Sequence, residues 1–263
     1  MLLSIITVVY NDAKGLRKTI SSVNDFARKT IHDVEFIIID GKSDDASPSM
    51  FKLVNHEVFS KVICISESDS GIYDAMNKGL AYISENSEYC LFMNAGDYFL
   101  DNVSNIINDH DFSSQIEVFG IVSYLNGDFC SVRKIKSKDC IIKWPAYPHQ
   151  STFINSNLHK TNPYNLSYKI LSDYNFFSRA YVNGSTIKIN KNEIAVFAQG
   201  GASNKVSTYF KMVREFTLIQ RANFGSVNYF LIIIMGFKVI IRALPFSSNI
   251  ERFIRALIFR VKK

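Results

Sequence analysis

The sequence predicts an α/β fold on a mostly parallel sheet, followed by a basic helical tail. Three observations lead there. Over the first hundred residues, short runs rich in Ile, Val and Phe alternate with stretches of helical apolar spacing. Those runs lack polar alternation, as strands covered on both faces do. Charge is also segregated. Residues 205–263 carry eleven Lys/Arg against Glu215 and Glu251, or +9, while the other 204 residues carry 19 basic and 22 acidic groups, or −3.

The chain has 263 residues, 47% of them apolar, which suffices for a proper core and excludes a disordered chain or a disulfide-stapled miniprotein. Cys64, Cys90, Cys130 and Cys140 form no C-x-x-C pair and read as buried reduced thiols, consistent with a reducing cytosol. The charge segregation argues against a nucleic-acid partner and for a local anionic one.

The elements follow in order. Leu2–Tyr10 is a first strand, without the basic leader and small-residue cleavage site of a signal peptide. Ala13–Lys29 is a helix, Val34–Asp40 a second strand, and a short helical segment follows Pro48. Val62–Ser66, a helix at Ile72–Ser84 and a strand at Tyr89–Asn94 complete the alternating half, which argues for parallel pairing. Glu117–Tyr124 and Phe129–Lys134 flank Asn126-Gly127, a hairpin signal. Two prolines keep Trp144–Gln150 irregular. A helix starts near Ser172, whose hydroxyl is placed to cap it, and stops at Asn183-Gly184. Thr186–Ile189 and Ile194–Phe197 read as two strands before Gly200-Gly201, a closing loop or a plain turn.

In the tail, Thr208–Asn223, Val227–Leu244 and Asn249–Val261 read as helices. Tyr229–Phe237 is too short for a bilayer span, which takes roughly 20 apolar residues. With Lys238 and Arg242 on one face, that helix fits the interface of an anionic membrane, the alternative being a helix packed on the preceding domain.

Ligands of open parallel sheets sit at the carboxyl ends of strands. Those ends carry Tyr10-Asn11-Asp12, Asp40-Gly41-Lys42-Ser43-Asp44-Asp45 and Asn94-Ala95-Gly96-Asp97. Neither a G-x-G-x-x-G nor a phosphate-binding lysine loop is present. Crowded carboxylates repel a phosphate ligand unless a divalent cation bridges the two.

Ser4–Asn11, Ile37–Asp44, Asp69–Gly79, Leu91–Asp97 and Ser172-Asp173-Tyr174 together resemble the motifs of inverting family 2 glycosyltransferases with the GT-A fold. The match is nearest to the branch that assembles bacterial surface polysaccharides (capsule, exopolysaccharide or O-antigen). It covers roughly residues 3–200, with Ile39 standing where the family usually has the first of two paired acids.

The resemblance implies a sugar moved with inversion from a UDP- or GDP-sugar to a hydroxyl of a lipid-linked or oligosaccharide acceptor. It implies donor contacts from Thr7, Val9, Tyr10, Asp40, Lys42, Asp69, Tyr73, Asn77, Asn94, Ala95 and Gly96. Asp40 would accept a hydrogen bond from the nucleotide base, and Asp69 has a second reading as a helix cap. Asp97 is the single carboxylate left to hold Mg²⁺ or Mn²⁺. Asp173 is the candidate base, its other reading being a helix-start carboxylate. His149, Gln150, Trp144 and Tyr147 are acceptor-side candidates, and the two aromatics serve equally as core packing.

The implied organisation is a catalytic domain at 1–204, with a nucleotide-sugar half at 1–100 and an acceptor half at 101–204. A membrane-associating tail at 205–263 would hold the enzyme on the cytoplasmic face of the cell membrane. Competing readings are a nucleotidyltransferase and a non-catalytic sugar-nucleotide-binding or membrane-docking module.

Overall fold

In the computed structural model, residues 1–125, 128–198, 206–234 and 236 are described. Asn126-Gly127, Gly200-Gly201 and the tail helices beyond position 236 lie outside them. The chain divides into two compact units, Met1–Gln199 and Gly200–Lys263.

Among the described residues of the first unit, nine strands form one sheet. They are β1 (Leu2–Val9), β2 (Asp33–Asp40), β3 (Lys61–Ser66), β4 (Tyr89–Phe92), β5 (Tyr98–Phe99), β6 (Ile116–Leu125), β7 (Asp128–Arg133), β8 (Thr152–Asn155) and β9 (Ile187–Ala198). The helices are α1 (Ala13–Lys29), α2 (Ile72–Tyr82), α3 (Val103–Asn108), α4 (Cys140–Lys143), α5 (Ser156–Thr161) and α6 (Ser172–Val182). Strand order is 3-2-1-4-8-6-9-5, with β7 added on β6.

The run β3-β2-β1-β4 is parallel, and its register brings Val9 beside Asp40 and Asp40 beside Ser66. The carboxyl ends of these strands therefore share one edge. Seven of eight residues in both β1 and β2 are buried, which is why their sequences show no alternation. Beyond β4 the sheet is mixed. β8 runs antiparallel to β4 and β6, while β6 and β9 are parallel. β9 is one strand where two were expected. Its polar middle, Lys191 to Glu193, passes through register shifts opposite Gly120 and so breaks the apolar pattern without ending the ladder.

α1 buries Leu16, Thr19, Ile20, Val23 and Phe26 against the core, and Asp12 caps it by accepting the Gly15 N–H at 2.8 Å. Pro48–Leu53 forms a 3₁₀ turn. Ser172 does not cap α6. It is the first helical residue, and its hydroxyl donates to the Asn165 carbonyl, tying the 165–171 loop to the helix. Cys64, Cys90 and Cys140 are free thiols, and burial pushes Cys90 up to about 12.

In the second unit, α7 (Val206–Phe224) ends at Gly225, whose φ of +69° turns the chain back. Tyr209 Oη donates to the Ile232 carbonyl and Asn228 N–H to the Gln220 side chain, so residues 229–234 fold against α7. No helix among the described residues is long and apolar enough to cross a membrane.

Candidate active site

Two segments meet at the shared strand edge, the turn after β4 and the start of α6. The Pro145–Pro148 loop delivers His149 between them. An amide nitrogen only donates, so Asn94 Nδ2, 3.1 Å from His149 Nε2, fixes that nitrogen as the acceptor. The ring proton then sits on Nδ1, 3.2 Å from Asp173 Oδ2. Asp173 Oδ1 accepts the Tyr174 N–H at 2.8 Å and lies 2.9 Å from Tyr73 Oη. Burial, and then the neighbouring Asp173 charge, hold the Tyr73 phenol well above its ordinary range.

Asp97 is 4% exposed. Its Oδ1 accepts the Ala198 N–H at 2.8 Å, and Gln150 also donates to its carboxylate. Burial pushes Asp97 up to about 6 despite those bonds and the nearby His149. The turn itself is clasped by α1. Thr19 Oγ1 lies 2.6 Å from the Asp97 carbonyl oxygen and accepts the Gly96 N–H at 3.1 Å. A Cβ on Gly15 would come within 2.8 Å of Gly96 N, so only glycine permits this approach.

The loops after β1 and β2 are strapped together. Asn11 N–H donates to Ser43 Oγ, and Asp44 N–H donates to Asn11 Oδ1, both at 2.8 Å. Asn11 and Lys42 adopt φ of 51° and 61°, a left-handed conformation uncommon for residues with a side chain and typical of ligand clamps. Tyr10 is 64% exposed and packs beside Gly41, presenting a ring at the strand edge.

The other sequence candidates are placed as follows. Thr7 is wholly buried and its hydroxyl donates to the Met93 carbonyl; Val9 is also buried. Asp40 is fully buried, accepting the Ser43 N–H and the hydroxyls of Ser43 and Ser66, so its carboxylate holds the loop. Asp69 accepts the Gly71 N–H just before α2 and lies against Gly41. Asn77 makes a two-way bond to the backbone of Tyr164, at 2.8 and 2.9 Å, fastening α2 to the loop before α6. Ala95 N–H donates to the Val8 carbonyl, securing the turn to β1. Lys42 is exposed beside Gly41 and Trp144 is half-buried. Tyr147 is buried against Phe177 with its hydroxyl on the Lys138 carbonyl, which leaves it in the core.

Thr19 and Arg133 are the site-adjacent residues that the sequence does not announce. Thr19 sits among the apolar contacts of an amphipathic helix. Arg133 ends a β-rich run and has its guanidinium carbon 5.4 Å from the Trp144 ring centre.

Among the described residues no three His, Cys, Asp or Glu side chains converge to hold a metal. One observation nevertheless fits a hard cation. Asn94 Oδ1 is buried without a hydrogen-bond partner in the same turn as Asp97, and amide and carboxylate oxygens are the donors such ions take.

The sequence model of glycosyl transferase family 2 matches residues 4–180. The chain belongs to that family. Its catalytic class is therefore transferase, and its fold resembles solved GT-A structures. Over 190 residues this glycosyltransferase is 28% identical to the PGL/p-HBAD biosynthesis glycosyltransferase of Mycobacterium bovis, spanning 70% of this chain and 71% of the relative. The structure of S. aureus TarS 1–349 in complex with UDP-GlcNAc superimposes with a TM-score of 0.58 at 18% identity, over 83% of this chain and 65% of that one. The superposition thus leaves about a third of that 1–349 segment unmatched. The mannosyltransferase PcManGT from Pyrobaculum calidifontis, in complex with GDP-Man and Mn²⁺, gives 0.60 at 10% identity, over 99% and 75% of the two chains.

Proposed function

We propose that this glycosyltransferase moves a sugar, with inversion, from a nucleoside diphosphate sugar to a hydroxyl of a lipid-linked oligosaccharide in bacterial surface-polysaccharide synthesis. The observation that carries the reading is the Asn94–His149–Asp173 chain of contacts, which brings the Asp173 carboxylate within one imidazole ring of the Asp97 turn. Single displacement needs a base on the face away from the leaving diphosphate, and Asp173 would supply it from across that ring. Relatives named for complexes with UDP-GlcNAc and with GDP-Man support a UDP- or GDP-sugar donor.

Asp173 would take the acceptor proton as the new bond forms, with His149 and Tyr73 holding its two oxygens in place. Tyr10 and the strapped 41–45 loop would receive the base and ribose. Asp97 and Asn94 Oδ1 would hold Mg²⁺ or Mn²⁺, which supplies charge neutralisation for the departing diphosphate.

Thermal melting tests the donor half. Saturating UDP or GDP should raise the melting point in the presence of Mn²⁺ and do much less in EDTA, since a ligand at 100 times its Kd adds ~2.7 kcal/mol. If neither nucleotide stabilises the protein with Mn²⁺ present, the donor assignment fails.

The second unit supports a membrane-held acceptor. Phe210, Leu218, Tyr229, Phe230 and Ile233 are exposed on the second unit, beside exposed Lys211, Arg214 and Arg221. Apolar groups flanked by cations suit the surface of an anionic membrane, and the cytoplasmic leaflet is the side where sugar nucleotides occur. Removing residues 206–263, which takes away all of these groups, should release the protein from phosphatidylglycerol vesicles in a flotation assay. Undiminished binding by the shortened chain would remove the membrane role.

A further inference from the structure

Arg133 is the last residue of β7, and its backbone pairs with Ile121 of β6, so it stands on a strand ladder. Arg133 is an exposed residue whose pKa is lowered by burial, with the Asp173 charge opposing. That guanidinium lies over Trp144 at 5.4 Å, within cation–π range. The guanidinium donates no hydrogen bond among the described residues, so its N–H groups are available. Among the described residues no carboxylate lies within ion-pair distance of it, whereas neighbouring Lys134 is already matched by Glu193 at 2.8 Å. Trp144 closes α4, and α4 is tied to the start of α6 by Tyr174 Oη, which donates to the Ile141 carbonyl at 3.1 Å one residue from Asp173.

An arginine fixed by a ring and lacking an anion of its own is suited to gripping an oxyanion with two parallel hydrogen bonds. The Arg133–Trp144 pair therefore stands on the side of the candidate base, and the anion it would hold belongs to the acceptor. We propose that Arg133 and Trp144 form a subsite for a phosphate carried by the acceptor next to the hydroxyl that Asp173 serves. The inference rests on the glycosyltransferase reading and narrows its acceptor to a sugar joined to phosphate. Arg133 also offsets the repulsion such an acceptor meets from Asp173.

Trp144 is the chain's only tryptophan, so its fluorescence reports on this spot alone. The full chain in EDTA should show a saturable change with glucose 1-phosphate and none with methyl glucoside or glucuronic acid. Arg133→Ala should weaken the glucose 1-phosphate response at least tenfold. Arg133→Lys, which keeps the charge but not the fork, should fall between. The gain in melting point with UDP and Mn²⁺ should be the same in Arg133→Ala as in the unaltered chain. That control also shows the variant is folded.

An unchanged response in Arg133→Ala overturns the subsite. An equal response to glucuronic acid overturns the phosphate. A response to phosphatidylglycerol vesicles without one to glucose 1-phosphate makes the site a reader of membrane headgroups, and the proposal falls. Loss of UDP stabilisation in Arg133→Ala would move the residue to the donor side, again against it. Failure of the unaltered chain to bind UDP would sink the donor reading while leaving the fluorescence result to stand separately.

Discussion

Asp173→Ala should lower sugar transfer by ~10²–10⁴-fold, the usual worth of a positioned general base, while UDP affinity stays within about twofold. In barrier terms that is ~3–5 kcal/mol, more than any single hydrogen bond in the cleft supplies. Alanine is the cleaner replacement. Asparagine would aim amide hydrogens at His149 Nδ1, where the ring now carries its proton. The ring would adopt its other tautomer and place an N–H against Asn94 Nδ2. Asn94 can answer by turning its amide, since its Oδ1 has no partner, but that moves an oxygen offered to the cation. Asp173→Asn therefore mixes loss of the base with a disturbed donor side. Single-turnover transfer and nucleotide titration on Asp173→Ala separate the two, and full transfer by that variant would remove Asp173 from the mechanism. Product analysis adds a second check, because inversion demands the opposite anomer from the donor.

The second large effect runs in two directions at once. Asp97 has a folded pKa of about 6 against an ordinary 3.8, so ionising it costs the folded state ~3 kcal/mol. Because the folded value is the higher one, its contribution to stability is fully present below 3.8 and is lost as pH rises through about 6. Asp97→Asn abolishes this titration and keeps an oxygen for the Ala198 N–H. The nucleotide-free variant should be more stable than the unaltered protein at pH 8, by up to ~3 kcal/mol, with the difference fading toward pH 4. In the same variant, stabilisation by UDP with Mn²⁺ should largely vanish. Melting curves at the two pH values, with and without ligand, read both effects. A variant less stable at pH 8 that still responds to Mn²⁺ would make Asp97 a structural carboxylate.

What the sequence announced and what it hid divide on physical lines. β1, β2 and β4 were legible because both faces are covered, so their composition is apolar throughout. α1 and α2 were legible from one-sided burial. β8 was not, because four residues emerging from a proline-bound loop carry too little periodicity to outweigh their surroundings. Neither was the reversal of direction at β8, which is decided by pairing with β4 and β6. Within the cleft, the strand-end carboxylates could be picked out, but their employment could not. Asp40 and Asn77 turn inward to hold loops because Ser66 and Tyr164, distant in sequence, supply their partners. Arg133 stayed hidden for the converse reason, since the feature that distinguishes it is a ring eleven positions downstream.

The Thr19 clasp has a consequence for anyone exchanging parts between members of this family. A hydroxyl on the buried face of the first helix sets the height of the loop bearing Asp97. Grafting that loop alone into another scaffold would leave it without its strut, so helix and loop must be transplanted as a matched pair.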